Sequence, residues 1–196
     1  MRARNPAMTA GRHPVSRIVW IDRAIIGALP SLRTPRGIAV ARVVSAQAES
    51  TVAGPLVTSA ALVACRRHGW QAAMLPVLAV PSGVLLRWLL SEAIARPRPP
   101  AAVWLAEPRG YSLPSRHTTT AALTTGAVAM AVGAKGISHH AALLTAAAVV
   151  GTSRVYLGVH WPSDVLAGWL FAATWLEVMR LAAPGQRGRT VGHREH

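Results

Sequence analysis

Five apolar runs, set apart by short polar stretches, organise residues 51–183. The first, 51–65, is stopped by Arg66-Arg67-His68, and the second, 71–90, contains Pro76, Pro81 and Gly83. Proline is tolerated inside membrane helices where neighbours satisfy the freed carbonyls. A polar loop rich in Pro and Arg covers 91–116. The remaining runs are 118–134, 141–152 and 165–183, with Lys135-Gly136 as a tight turn after the third. Several lie near the ~17-residue lower limit for crossing a bilayer. Trp70 and Trp88 sit near the ends of the second run, where an aromatic belt forms. Ala, Gly and Thr dominate the third and fourth runs, and small residues let membrane helices approach closely. The pattern predicts an all-α fold, an integral membrane helical bundle of about five spanning helices, and it contains no internal repeat.

Upstream the pattern weakens. Residues 1–15 carry Arg2, Arg4 and Arg12 among Pro, Gly and Ser, and read as a basic disordered tail. Between 16 and 50, Ile18 to Ile21 and Ala24 to Leu29 are apolar, Asp22 and Arg23 interrupt, and Arg42 stands in the middle of a second mixed segment. These segments predict interfacial amphipathic helices with arginines among the headgroups. The alternative is one weak span at 18–32, which would be the sixth. Residues 51–183 form the expected membrane-embedded domain, and 184–196 a polar tail.

Composition supports the membrane reading. Hydrophobic residues make up 52% and charged residues 14%, against about 25% charged in ordinary soluble domains. The charge is lopsided, with 21 Lys+Arg against 7 Asp+Glu, or +14. Lys135 is the sole lysine, so the excess is arginine. No basic helix interleaves with aromatics, which argues against a nucleic-acid partner and for an anionic lipid surface. Cys65 is the only cysteine and lies in an apolar run, so an inert buried thiol is expected and no disulfide or CxxC metal site exists. The N-terminus lacks the continuous apolar region and cleavage site of a signal peptide.

Chemistry gathers in three polar clusters at helix ends: Arg96-Pro97-Arg98-Pro99, Pro114-Ser115-Arg116-His117, and the stretch from Ser153 to Asp164. Counting helices back and forth across the membrane brings all three to one side. Ionisable residues there are costly and mark a functional site by default. Arg98 and Arg154 can contact phosphate oxygens in pairs. Ser115 offers a hydroxyl, and the helix starting at His117 offers unpaired N–H groups. Pro162 suits the first turn of a helix. His160 and Asp164, four apart, then lie on one helical face, so the carboxylate can orient the ring and leave its other nitrogen free as a nucleophile. A cationic cradle, an oriented histidine and a second histidine suit phosphoryl transfer.

At these residues the sequence resembles the type 2 phosphatidic acid phosphatase superfamily, also called lipid phosphate phosphatases and related to vanadium haloperoxidases. Its three signatures run KxxxxxxRP, PSGH and SRxxxxxHxxxD. The third is complete at Ser153, Arg154, His160 and Asp164. The second reads Pro114-Ser115-Arg116-His117, with Arg in the Gly position. The first keeps Arg98-Pro99 but has Ser91 where the Lys belongs. The resemblance spans roughly residues 50–183. It implies that His160 attacks phosphorus to form a phosphohistidine, that Asp164 orients it, and that His117 protonates the leaving oxygen and then activates water. Arg98, Arg154 and Ser115 would hold the phosphate. The resemblance implies no cofactor or metal, and no carboxylate cluster able to hold Mg²⁺ is seen.

The departures raise their own questions. Arg87 lies one turn before Ser91 and either substitutes for the missing Lys or only snorkels to the interface. Arg116 keeps the backbone N–H of the Gly position and adds a cation near the headgroup. Arg96 either holds phosphate or braces the loop. Trp161 and Tyr156 read as packing residues, Glu177 as a partner of Arg180, and His139 and His140 as interfacial residues away from the site. The role of Glu107 and Arg109 is open. The expected activity is metal-independent hydrolysis of a membrane lipid substrate, either phosphatidic acid-like or a polyprenyl phosphate or diphosphate. The rivals are a catalytically weakened member acting as scaffold or transporter, and a vanadate-dependent haloperoxidase. Arg66, Arg67, Lys135 and the basic C-terminal tail fall away from the site, so the positive-inside rule puts the site on the extracytoplasmic face of the cell membrane in a multi-pass protein. The eight arginines of residues 1–50 weigh against this orientation if five spans cross. Nothing in the sequence specifies an oligomeric state.

Overall fold

The computed structural model describes residues 14–133 and 137–182. The terminal tails, apart from Pro14 and Val15 at the head of the first helix, lie outside the described residues, as do Lys135 and Gly136. The side chains of His139 and His140 are likewise outside them. Seven helices follow in order: α1 Pro14–Leu32, α2 Pro35–Ala46, α3 Ser50–His68, α4 Trp70–Ile94, α5 Arg116–Ala131, α6 Ile137–Tyr156 and α7 Pro162–Ala182. The described residues form no strand. A 3₁₀ turn, Ala101–Val103, lies in the long loop between α4 and α5.

The helices start and stop where local chemistry dictates. Thr34 caps α2 by accepting from the Gly37 N–H at 3.0 Å, and Pro35 occupies the first turn, where its missing N–H costs nothing. Pro162 opens α7 in the same way. The end of α6 is a Schellman turn: Gly158 N–H donates to the Val155 carbonyl at 2.8 Å and Val159 N–H to the Arg154 carbonyl at 3.2 Å. Gly158 sits at φ +75°, and a Cβ there would collide with the Val103 carbonyl, so glycine is required on both counts. This turn delivers the chain from Arg154 to His160 within the site.

α5 is the central helix. It packs against α3, α4, α6 and α7, and residues Thr118 to Leu123 are buried all round. Its Leu123, Ala122 and Ala127 meet Ala79 and Val80 of α4 and Ala172 and Leu176 of α7 in the main core. Surrounded by protein, α5 tolerates four buried threonines. Thr119 donates to the Gly168 carbonyl of α7 and Thr118 to the Ser115 hydroxyl. A second cluster joins Ala41 of α2 to Leu157 and Val159 beside the α6 turn.

Among the described residues two helices, α4 and α7, are long and apolar enough to cross a membrane, and α2 with α3, bent by 45° at their junction, qualifies as a third if counted as one broken span. At 25 residues, α4 reaches about 37 Å at 1.5 Å per residue, enough for a ~30 Å hydrocarbon core. Leu78, Leu85, Trp88 and Leu89 on α4 and Leu166, Leu170, Val178 and Leu181 on α7 face outward. α5, counted among the spans by its apolar run, is only 16 residues long. Several helices also run past the limits suggested by apolarity. α4 continues to Ile94, which places Ser91 and Arg87 on one helical face, and α6 continues to Tyr156, which makes Arg154 a last-turn residue.

Candidate active site

The three polar clusters converge on one cleft of about 190 Å³. Its walls carry His160, His117, Arg98 and Arg154, together with Arg109, Arg116, Glu49 and Glu107. Four guanidinium groups therefore face two carboxylates and two imidazoles across a small opening.

His160 and Asp164 are both buried, at 1% and 0% exposure. Nδ1 of His160 lies 3.5 Å from Oδ2 of Asp164, an oriented pair looser than a hydrogen bond. The carboxylate is held from every side. Oδ1 accepts from Arg96 at 2.6 Å, and Oδ2 accepts from the Trp161 N–H at 2.8 Å and from the Ser112 hydroxyl. On the other side of the ring, Nε2 of His160 stands 3.0 Å from Nη1 of Arg98. A guanidinium can only donate, so Nε2 carries the lone pair and the ring proton sits on Nδ1, toward Asp164. Burial is the main cause lowering the His160 pKa to about 4, aided by Arg98 and Arg154 against the opposing pull of Asp164. At neutral pH the ring is uncharged, with the lone pair of Nε2 on the side of Arg98.

Arg98 spends every donor. Besides His160, it reaches the carbonyls of Val159 at 2.6 Å, Gly110 at 2.9 Å, and Arg109 and Tyr111 at 2.8 Å each. Burial lowers its pKa to about 10, with Asp164 opposing and Arg87 and Arg116 assisting, which still leaves it cationic at neutral pH. Arg154 is 5% exposed, and its Nη1 donates to the Ser45 hydroxyl of α2 at 2.6 Å while its Nε has no partner. An unmatched buried guanidinium N–H is costly and suits an anion.

His117 opens α5, and its Nε2 lies 2.8 Å from Oε1 of Glu49. Arg116 reaches the same carboxylate at 3.2 Å. Ser115 is fully buried beneath the cleft wall; its hydroxyl accepts from Thr118 and its N–H donates to the Asp164 carbonyl at 3.1 Å. A close approach makes that last bond possible, because a Cβ at Gly168 of α7 would crowd the Ser115 carbonyl. Arg87 is 7% exposed and so does not snorkel. Its Nη1 lies 3.3 Å from the Pro114 carbonyl, and its Nε is unpartnered. It sits behind the Pro114–Ser115 segment, on the same buried face of α4 as Ser91.

Arg96 resolves as a brace. It bonds Asp22, Asp164 and the Ser163 hydroxyl and lies over the Trp161 ring, 5.8 Å from its centroid. Three contributors went unseen in the sequence: Asp22 of α1, Ser45 of α2 and Glu49 between α2 and α3. Asp22 breaks an apolar run, and Glu49 stands two residues before one, which is the signal each offered. Glu177 does pair with Arg180 at the far end of α7.

Comparison with known proteins places this arrangement. Segments of the chain resemble three characterised proteins. Undecaprenyl-diphosphatase of Sulfolobus acidocaldarius is 38% identical over 37% of this chain and 34% of that protein. Phosphatidylglycerophosphatase B of Bacillus subtilis is 34% identical over 53% of each. Lipid A 1-phosphatase of Rhizobium johnstonii is 34% identical over 56% of this chain and 46% of that protein. The chain thus spans about a third to a half of the length of these relatives. Two crystal structures share the fold. A transmembrane PAP2-type phosphatidylglycerolphosphate phosphatase from Bacillus subtilis superposes with a TM-score of 0.71 at 24% identity, covering 88% of each chain. LpxE of Aquifex aeolicus gives 0.64 at 22% identity, covering 83% of this chain and 94% of that one. The PAP2 superfamily profile matches residues 72–187, more than half of the chain and all three signature clusters, and the protein belongs to the PAP2 superfamily.

Proposed function

We propose that this chain hydrolyses the phosphate or diphosphate group of a membrane lipid through a phosphohistidine on His160, without a metal. The observation that carries the reading is the state of His160: buried, neutral, with Nε2 directed at Arg98 in a cleft walled by four arginines. In the first step the Nε2 lone pair bonds phosphorus. The P–O bond to the lipid breaks, and the leaving oxygen takes a proton from His117. In the second step His117 takes a proton from water as the water oxygen bonds phosphorus, and the P–N electron pair returns to Nε2. Arg98 and Arg154 bear the charge that develops on the phosphoryl oxygens. Arg116 at the cleft wall, with Ser115 and Arg87 behind it, would complete the cradle.

The named relatives act on lipid phosphates of different headgroup and chain, which supports a lipid substrate, phosphatidic acid-like or polyprenyl. The protein would sit in the cell membrane with several spans. Arg66 and Arg67 close α3 at the end away from the cleft, which supports an extracytoplasmic site by the positive-inside rule. The domain proper would run from 51 to 183, with α1 and α2 as the flanking, interfacial part.

The test is inorganic phosphate release in detergent micelles containing EDTA, from phosphatidic acid and from a polyprenyl diphosphate. Release by the wild type that disappears in His160→Ala supports the proposal. Undiminished release by His160→Ala refutes it.

A further inference from the structure

We propose that Glu49 is the positioning residue of the general acid, holding His117 by Nε2 so that Nδ1 meets the leaving oxygen. This rests on the phosphatase reading above and adds to it a second carboxylate–histidine pair.

Four observations carry it. The Glu49 carboxylate lies 2.8 Å from His117 Nε2, a shorter contact than the 3.5 Å between Asp164 and His160. Beside Arg116 a carboxylate stays ionised and has no proton to give, so the hydrogen of this bond belongs to the imidazole. Glu49 also occupies the N-cap of α3, with extended backbone at φ −75° and ψ 153°, yet its side chain makes no capping bond to its own helix. A side chain that forgoes the N–H groups next to it in favour of a histidine 68 residues away is built for that histidine. Finally, Glu49 stands at the 45° break between α2 and α3. Ser45, four residues earlier on the same junction, holds Arg154, so one bend supplies partners to both the acid and the phosphate-binding wall.

The chemistry follows from the tautomer. With Nε2–H pledged to Glu49, Nδ1 is the nitrogen that gives its proton to the departing lipid oxygen and later takes one from water. Burial and the charges of Arg154 and Arg116 favour the neutral ring, and the neighbouring carboxylate is the group that works against them toward the imidazolium required for the first transfer.

The experiment compares kcat/KM for phosphatidic acid, whose alkoxide needs a proton to leave, with kcat/KM for p-nitrophenyl phosphate, whose phenolate does not. This parameter reports the steps through P–O cleavage. Glu49→Gln is expected to lower the value for phosphatidic acid by about tenfold or more, part of the ~10²–10⁴ typical of general acid catalysis, and to change that for p-nitrophenyl phosphate by less than about threefold. His117→Ala should impose the same bias, and the double variant should lose no more than His117→Ala alone, since residues acting as a unit are not additive. Equal losses on both substrates, additive losses, no loss, or a gain would each overturn the assignment. A gain would mean that Glu49 competes with phosphate for the cleft. A wild type inactive on both substrates, or an active His160→Ala, would instead bring down the phosphatase reading on which it stands.

Discussion

Arg96 Nη1 stands 2.6 Å from Oδ1 of Asp164, and the same guanidinium reaches Asp22 of α1 at 2.8 Å through Nη2. Two buried carboxylates from distant parts of the chain share one arginine, which balances one of their two charges.

Removing that arginine leaves both carboxylates uncompensated. Arg96→Ala is expected to destabilise the protein by about 3 kcal/mol, the usual scale for breaking a buried pair, and to abolish phosphate release because Asp164 loses its anchor. Arg96→Lys should recover little, since an ammonium cannot reproduce a two-pronged bridge. Thermal unfolding in detergent, followed by tryptophan fluorescence, measures the first effect.

The neutral state of His160 gives a pH signature. Its pKa falls from 6.5 to about 4 in the folded protein. Above about pH 6.5 the ring is uncharged both folded and unfolded, and it costs nothing. Between 6.5 and 4 the unfolded chain takes up a proton that the folded one refuses, so stability declines as pH falls through that window. On the proposed mechanism the nucleophile itself is lost only near pH 4. A kcat/KM profile should therefore show an acid limb near pH 4, below the substrate phosphate ionisation near pH 6. A limb at 6.5 in its place would contradict the buried, neutral ring.

Arg87 and Ser91 share the buried face of α4, which makes the substitute-cation idea testable in both directions. Arg87→Ala should raise KM by about tenfold with a smaller change in kcat. Ser91→Lys in the Arg87→Ala background should restore much of the affinity, whereas Ser91→Lys alone should destabilise the protein by adding a second buried cation beside the first. KM for phosphate release and the unfolding temperature of the three variants read this out.

Gly158→Ala probes the turn that delivers His160. The φ of +75° and the close Val103 carbonyl predict a loss of at least about 1 kcal/mol together with a fall in kcat. Ala41→Gly on α2 also touches the cluster beside this turn but leaves the turn backbone alone, so it should lower stability without a matching fall in kcat.

The sequence was legible where chemistry and periodicity coincide. His160, Asp164, Arg98, Arg154 and His117 are named by their spacing and by their position at the ends of apolar runs, and the structure brings all but the Asp164 carboxylate, which lies behind His160, to the cleft wall. The long-range partners were hidden. Asp22 and Glu49 lie 142 and 68 residues from Asp164 and His117, and no local pattern links them, because their meeting depends on how α1 and the α2–α3 bend pack. The helices end beyond the limits of the apolar runs for a related reason. Apolarity marks where lipid stops, while backbone hydrogen bonding in α4 and α6 continues into the polar layer and carries Ser91 and Arg154 with it. α5 concealed its role through composition, since a helix wrapped by protein need not be apolar in the manner of one that faces lipid.

Arg98 enters the reaction with all five N–H donors occupied, by His160 and by the carbonyls of Val159, Arg109, Gly110 and Tyr111. A phosphate therefore gains this arginine only by swapping places with acceptors the protein already supplies. On the proposed mechanism the net gain on binding is expected to be small, with the same carbonyls taking back the guanidinium when inorganic phosphate departs. A site of this kind would trade tight holding for rapid turnover, and it should resist inhibition by its own product.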